Sequence, residues 1–441
     1  MEMKAKKRFF IQTFGCQMNV NDSQKVAGLL EARGFEAAAA AQEADFVFLN
    51  TCAVREKASE KFRQSLARLG RTKQARPGLR IGVGGCVAQL EGEAVISGAP
   101  HVDVVVGTHN LRRIPELLEE AEAKGHVAID LDRGADAFDV PSAITVHANP
   151  VRAYVTAMEG CNLVCSFCVV PRTRGPEVNR PPDDIVAEVE GVVARGFPEV
   201  MLLGQTVNAY RSNGHDFADL LGRVDAVRGL RRLRFTTSHP SHVTARLADA
   251  FRDLRRVCPY LHLPVQSGSD RVLRSMRRSY TRAQYLETIA MLRDRMPGLA
   301  LSTDVIVGYP GETSAEFDET MSLLETVGFD GLFSFSYSPR PGTSALRLED
   351  DVPEAEKKRR LHLVNDHQQQ WQRRRNQALV GSHHEVLVET IDGGGRVSGR
   401  TPHFRIVHLD GPDSLLGQAV QVEITGSGPN SLQGRLSQLT H

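Results

Sequence analysis

The chain has 441 residues, of which 41% are hydrophobic and 24% charged, with a formal net charge of +1. These are the proportions of a globular protein of several domains, and the bulk charge points to neither a nucleic-acid binder nor a membrane protein. No apolar run approaches the roughly 20 residues of a membrane span.

The basic start, Met1–Lys7, leads into Phe-Phe-Ile-Gln-Thr-Phe, which is too short and polar for an export signal. The seven cysteines are therefore expected in the cytoplasm, where metal binding or catalysis is favoured over disulfides. From about residue 8 to 115 strand and helix patterns alternate. Strands are predicted at Phe9–Thr13, Asp45–Asn50, Leu79–Val83 and Val102–Val106, and helices at Ser23–Arg33 and Arg55–Leu69. Such alternation favours a parallel sheet covered by helices, with ligands beyond the carboxyl ends of the strands. Cys16, Cys52 and Cys86 each follow a predicted strand, so the fold can gather them despite their separation. Gly15, Gly84 and Gly85 permit tight turns beside them.

A helix at Glu116–Lys124 and an irregular connector with Pro141 and Pro150 lead to a second alternation. Its strands are expected at Arg152–Ala157, Val200–Leu203, Arg232–Phe235, Tyr260–Leu263, Ala300–Val307 and Gly331–Phe335. Helices are expected at Asp183–Arg195, Phe217–Val227, Val243–Asp253, Arg282–Arg293 and Ser314–Thr326. Six such steps imply a partial (β/α)6 barrel with its site at the strand carboxyl ends. A polar helix spans 354–376. Beyond it, short strands at Glu385–Glu389, Arg396–Arg400, Phe404–His408 and Ala419–Ile424 indicate a small all-β barrel. The domains are drawn at 1–146, 147–375 and 376–441.

After the first strand of the central alternation comes Gly160-Cys161-Asn162-Leu163-Val164-Cys165-Ser166-Phe167-Cys168. Three thiolates in a CxxxCxxC loop hold three irons of a 4Fe–4S cubane and leave the fourth open. An open iron can chelate the amino and carboxylate groups of S-adenosylmethionine, and electron transfer then releases a 5′-deoxyadenosyl radical. A zinc site is the competing reading, but it needs a fourth Cys or His, and none follows within twenty residues of Cys168. Phe167 is placed to shield the cluster and pack near the adenine. Ser238 after the third strand, Gln266 and Ser267 after the fourth, and Gly308 and Glu312 after the fifth offer polar groups or close backbone approach for the cofactor. Equally, Glu312 fits a strand-to-helix turn.

Several segments resemble the radical S-adenosylmethionine methylthiotransferases over nearly the whole chain. They are Gly15-Cys16-Gln17-Met18-Asn19 with Asp22-Ser23, Asn50-Thr51-Cys52-Ala53-Val54-Arg55, Gly85-Cys86, the CxxxCxxC loop running into Val169-Val170-Pro171, His262–Gly268 and Tyr337–Thr343. Thr206 departs from the pattern, standing where Asn is expected. Gln17-Met18-Asn19 and the Cys-Val-Val-Pro continuation look like the bacterial tRNA branch. That resemblance implies methylthiolation of carbon 2 of N6-isopentenyladenosine at position 37 of tRNA. It implies two 4Fe–4S clusters, S-adenosylmethionine as methyl donor and radical source, and a TRAM-like RNA-binding barrel at the C-terminus. It assigns Cys16, Cys52 and Cys86 to an auxiliary cluster, and Cys161, Cys165 and Cys168 to the radical cluster. The implied partners are the tRNA anticodon stem-loop, a low-potential electron donor and, unless the cluster itself supplies the sulfur, a sulfide donor; the chain is expected to be a monomer. Sibling branches act on threonylcarbamoyladenosine in tRNA or on a ribosomal-protein aspartate, and a non-catalytic iron–sulfur protein is the alternative of another class.

RNA would be held through phosphates by arginines between Arg252 and Arg282, including Arg255, Arg256, Arg271, Arg274, Arg277 and Arg278, with Arg228, Arg231, Arg232 and Arg234. Residues 376–441 carry four arginines and no lysine against six acidic residues, a charge of −2. RNA contacts there would fall to Arg396, Arg400, Arg405 and Phe404. Trp371 is expected to pack rather than stack on a base.

Overall fold

A computed structural model of the chain describes residues 6–53, 56–133, 138 and 140–437. Met1 to Ala5 of the basic start, and Val54 and Arg55 of the Asn50–Arg55 segment, lie outside the described residues. The chain divides into two compact units. The first comprises residues 1–148 with 158–163 and 168–180; the second comprises 149–157, 164–167 and 181–441.

The first unit is built on a six-stranded parallel sheet of β1 (Arg8–Thr13), β2 (Glu36–Ala37), β3 (Phe46–Thr51), β4 (Arg80–Gly85), β5 (Val104–Val106) and β6 (Ala128–Asp130), in the order β2-β1-β3-β4-β5-β6. All six residues of β3 are buried, as expected where helices cover both faces of a parallel sheet. Its alternate side chains feed two cores. Val47 and Leu49 join Ile81, Val83 and Phe62 on one face, while Phe46 and Phe48 join Phe9, Val104 and Leu117 on the other. Gly84 makes room for this packing, since a Cβ there would stand 2.4 Å from the Phe48 ring. The short β2 and β6 and the helix Cys86–Gly98 were not expected from sequence.

The six expected barrel strands form in the second unit, at Arg152–Thr156, Glu199–Leu203, Arg232–Phe235, Tyr260–His262, Ala300–Val307 and Gly331–Ser336. They make two parallel three-stranded sheets, each ordered by neighbour, and a single bridge from Leu233 to Val257 lies between the third and fourth strands. Helices Pro182–Ala194, Phe217–Asp225, Ala245–Asp253, Arg282–Arg295 and Ser314–Val327 separate them. Capping boxes set the starts of the second, fourth and fifth of these helices.

The polar helix runs Glu354–Gln377 and ends in a closed five-stranded barrel. Its fifth strand, Leu432–Leu436, pairs with both Ile406–Asp410 and Ala419–Ser427 and thereby closes it; only four strands were expected there. Trp371 packs as expected, with the backbone of Gly328 close against its indole.

Phe404 precedes the third strand of this small barrel in a turn, at φ 69°, instead of lying in the strand. Its ring stacks on Tyr260 at 4.9 Å, with the Arg152, Arg234 and Arg400 guanidiniums 5.4, 4.8 and 4.8 Å from its centroid. Arg152 and Arg234 both grip the fully buried Glu199, and Arg152 and Arg400 both reach Glu389. Arg234 also donates to the Thr401 and Pro402 carbonyls, and Arg232 to the Arg400 carbonyl and Glu385. Arg405 is held by Asn376 and Asp330. Of these, Arg232, Arg234, Arg400, Phe404 and Arg405, expected to contact RNA, are instead consumed in joining the small barrel to the amino ends of the first four strands.

Candidate metal centres

Parallel register gathers the dispersed cysteines. β1, β3 and β4 are adjacent, and Thr13 pairs with Asn50 and Thr51 with Gly85. Cys52 and Cys86 are thus the first residues beyond two paired positions, and Cys16 follows β1 after a Phe14-Gly15 turn. Gly15 (φ 122°) brings the first segment onto the second, where a Cβ would lie 2.5 Å from Cys52 Cβ and 3.0 Å from its Sγ. At Gly85 (φ 87°) a Cβ would lie 2.4 Å from Asn50 Oδ1.

Around the thiols, the Gly-Cys-Gln-Met-Asn and Asn-Thr-Cys segments interlock. Asn19 Nδ2 donates to Thr51 O at 2.6 Å and Asn50 Oδ1 at 3.2 Å, while Asn50 Nδ2 donates to Asn19 O at 2.8 Å and Ser23 Oγ at 3.0 Å. Thr51 Oγ1 donates to Gly84 O at 2.6 Å and accepts the Val87 amide at 3.1 Å. Cys16 Sγ reaches Asn19 Oδ1 at 3.4 Å.

The Cys86 thiol feels the other two sulfurs. Burial pushes the Cys86 thiol up to about 11, the Arg174 guanidinium opposes that, and the Cys52 and Cys16 sulfurs add to the rise. Arg174 is itself buried and paired with Asp22, with Glu159 3.7 Å away. It is a site residue that sequence reasoning missed, although it sits just beyond the Cys-Val-Val-Pro segment.

In the CxxxCxxC loop each sulfur accepts an N–H at 3.4 Å. Cys161 Sγ takes the Leu163 amide, Cys168 Sγ the Val170 amide, and Cys165 Sγ the Arg278 Nη1. Gly160, at φ 77°, passes so close to the Pro176 carbonyl that a Cβ would stand 1.9 Å from its oxygen. Ser166 is fixed by Tyr309 (2.8 Å) and the Ser275 carbonyl (2.9 Å), and Phe167 packs against the Val272, Met276, Tyr309, Tyr337 and Ala345 cluster.

Among the described residues no three His, Cys, Asp or Glu side chains are grouped as a single metal ion requires. A cubane takes each thiolate on a different iron, so its ligands stand further apart. The donor chemistry fits such a cluster in both triplets: all six candidate ligands are cysteines, and none is in a disulfide.

The strand-end residues divide. Ser238 Oγ is buried and has no hydrogen-bond partner among the described residues, as is Gln205 Oε1 after the second strand, which sequence reasoning did not select. Gln266 is buried at φ 71°, its backbone bridging Asp304 O and Ile306 N. Ser267 turns its hydroxyl to Thr320 and the Ser269 amide, a structural role. At Gly308 the close neighbour is Lys357, 2.4 Å from the position of a Cβ. Glu312 Oε2 accepts the Gly308 amide (2.6 Å) and Arg360 (2.8 Å), which makes it a turn brace, while its Oε1 is buried without a partner among the described residues.

Known proteins resemble the chain in both sequence and fold. Residues 8–107 match the uncharacterized protein family UPF0004, 155–324 the radical SAM superfamily and 377–437 the TRAM domain. The tRNA-2-methylthio-N(6)-dimethylallyladenosine synthase of Solibacter usitatus is 45% identical over 98% of both chains. That of Methylococcus capsulatus is 46% identical over 98% of this chain and 96% of its own. In fold, the chain is similar to the radical S-adenosylmethionine methyltransferase TsrM from Kitasatospora setae, solved with cobalamin and a [4Fe-4S] cluster (TM-score 0.57, 15% identity, 89% of this chain and 80% of that one). With relatives this similar along nearly its whole length, the chain belongs to the tRNA-2-methylthio-N(6)-dimethylallyladenosine synthase family of radical S-adenosylmethionine methylthiotransferases.

Proposed function

We propose that the six gathered cysteines divide the family reaction, methylthiolation of carbon 2 of N6-isopentenyladenosine in tRNA, between two sites. Cys161, Cys165 and Cys168 hold the radical-generating 4Fe–4S cluster, and Cys16, Cys52 and Cys86 hold the auxiliary one. The observation that carries this is the register of β1, β3 and β4, which places three cysteines far apart in sequence at one sheet edge. When bound, the first cluster supplies the electron that cleaves S-adenosylmethionine, and the second presents sulfur for methylation and transfer. Ser238, Gln205 and Gln266 offer buried polar atoms to the cofactor, and Phe167 closes the loop side with an aromatic face. Ser267, Gly308 and Glu312 support these strand ends from behind. A low-potential electron donor in the cytoplasm completes the reaction, and the chain acts as a monomer built in three parts, 1–146, 147–375 and 376–441.

The RNA is steered by arginines left over once the structural ones are assigned. Arg252 is paired with Asp249 and Asp253, Arg256 with Asp225, and Arg271 with Glu316. Arg231 and Arg255 are exposed, and their side chains have no partner among the described residues. Together with Leu230, Arg232, Arg256 and Glu385 they line a groove of about 570 Å³. Its cationic wall suits RNA phosphates.

Anaerobic turnover of cluster-reconstituted chain with S-adenosylmethionine, a low-potential reductant and isopentenylated tRNA tests the reading, scored by nucleoside mass spectrometry. Cys161→Ala should abolish 5′-deoxyadenosine. Cys52→Ala should still form some 5′-deoxyadenosine but no 2-methylthio nucleoside. Equal loss of both in Cys52→Ala, with the radical cluster intact, would refute the division of labour.

A further inference from the structure

We propose that Arg278 is a positioning residue for the radical-generating cluster, holding Cys165 in place and raising the potential at which that cluster accepts its electron. The proposal rests on the assignment of Cys161, Cys165 and Cys168 as the radical-cluster ligands.

Arg278 belongs to the arginine-rich run between the fourth strand and helix Arg282–Arg295, and sequence alone treats it as one more phosphate contact. The structure turns it inward. Its three nitrogens are committed to three different groups: Nη1 to Cys165 Sγ (3.4 Å), Nη2 to the Pro264 carbonyl (3.0 Å) and Nε to Tyr280 Oη (2.9 Å). Tyr280 is buried and in turn donates to the Val265 carbonyl at 2.8 Å, so the guanidinium is braced from behind. Pro264 and Val265 belong to the turn after the fourth strand, and the cationic fork therefore ties that turn to the middle cysteine of the loop.

Two features distinguish this contact from incidental packing. The other two loop sulfurs accept backbone amides two residues further on, a local arrangement that any such turn can make. Cys165 instead relies on a side chain 113 residues away. Arg278 also has no carboxylate partner within 4.0 Å among the described residues, unlike Arg152, Arg174, Arg234 and Arg360. Burial, with the Arg278 cation adding to it, presses His239 down to about 2, so it adds no second positive charge there. A partly buried cation with no acid beside it is costly unless an anion is supplied. The sulfur within reach is that of Cys165, which carries negative charge once it ligates iron.

Hydrogen bonds to cluster sulfurs and positive charge beside them stabilise the more negative, reduced state. Removing Arg278 should therefore lower the reduction potential and make electron acceptance harder.

The test is an anaerobic redox titration, followed by electron paramagnetic resonance, of full-length chain carrying Cys16→Ala, Cys52→Ala and Cys86→Ala, so that the loop cluster alone contributes. Adding Arg278→Met should shift the oxidised-to-reduced ratio at fixed potential at least tenfold toward oxidised, ~59 mV for one electron. Arg278→Lys, which keeps the charge but cannot reach all three acceptors, should shift it less in the same direction. Tyr280→Phe leaves the guanidinium but removes its brace and guards against an Arg278→Met chain that fails to fold; it too should move the midpoint down. Unchanged midpoints in Arg278→Lys and Tyr280→Phe, at equal iron content, would overturn the proposal. A triple-cysteine background that binds no cluster at all would instead overturn the assignment of the loop, and the proposal with it.

Discussion

Replacing Phe404 by alanine should loosen the amino ends of the barrel strands without touching either cysteine triplet. A fully buried Phe→Ala change costs ~3–5 kcal/mol, and Phe404 is only partly buried, so about 2 kcal/mol is expected from burial. Its stack on Tyr260 adds ~0.5–1.5 kcal/mol, and the three guanidiniums around the ring contribute ~0.5–1 kcal/mol each where exposed. These terms overlap, because one ring serves all four neighbours, so a total of about 3 kcal/mol is expected. The backbone provides a second check. At φ 69° a non-glycine residue is strained by ~1–2 kcal/mol, which Phe404→Gly relieves and Phe404→Ala does not. Glycine, ordinarily the more disruptive replacement, should here be no worse than alanine. Native-state hydrogen exchange is the suitable assay, since a chain of two units need not unfold in one step. Amides of Arg152–Thr156, Glu199–Leu203 and Arg232–Phe235 should lose about a hundredfold protection in Phe404→Ala, while those of β3 keep theirs. Protection within twofold of the parent in all three strands would refute the idea that this ring secures the junction.

Gly15→Ala should halve bound iron, because its Cβ would meet Cys52 Cβ at 2.5 Å in a left-handed backbone; iron analysis with retained S-adenosylmethionine cleavage checks this. Arg231→Ala with Arg255→Ala should weaken tRNA binding and reduce its log–log salt slope by about 2, one for each lost phosphate contact, as read by binding titrations at several salt concentrations. An unchanged slope would remove the groove from the interface. Arg271 holds the Glu316 carboxyl down to about 2, so its stabilising pair is fully formed above the ordinary carboxylate value of ~4.3 and is lost as pH falls toward 2. Thermal midpoints between pH 5 and pH 2.5 should therefore fall less steeply in Glu316→Gln than in the parent.

The gathering of Cys16, Cys52 and Cys86 was legible because a parallel sheet places successive post-strand residues at one edge, and each cysteine follows an apolar run. The six barrel strands were legible for a similar reason, since β-branched and aliphatic runs alternate with helical periodicity. What stayed hidden depends on contacts remote in sequence. Leu432–Leu436 is a short run whose strand character comes from closing a barrel against residues 407–409 and 422–427. Arg234, Arg278 and Arg405 look alike as residues, yet one pairs with a buried glutamate, one with a cysteine sulfur and one with Asp330. Composition counts such cations as a basic patch, and only the fold separates the structural ones from those left for a ligand.

The two ends of the open barrel differ in what they offer a small polar ligand. At the amino ends of the strands, Glu199 meets Arg152 and Arg234, Glu389 meets Arg152 and Arg400, and the Phe404 ring lies against the three cations. A ligand arriving there would have to displace ion pairs already formed. At the carboxyl ends, Gln205 Oε1 and Ser238 Oγ are buried with no hydrogen-bond partner among the described residues. An unsatisfied buried polar atom costs ~1–3 kcal/mol, so these positions gain from a ligand that brings donors and acceptors. The polar ribose and amino-acid portions of S-adenosylmethionine are of that kind. The same contrast bears on the RNA: with the arginines of the amino end tied up in the fold, a substrate on this unit must be held by side chains outside that network, which is why Arg231 and Arg255 are the ones to remove first.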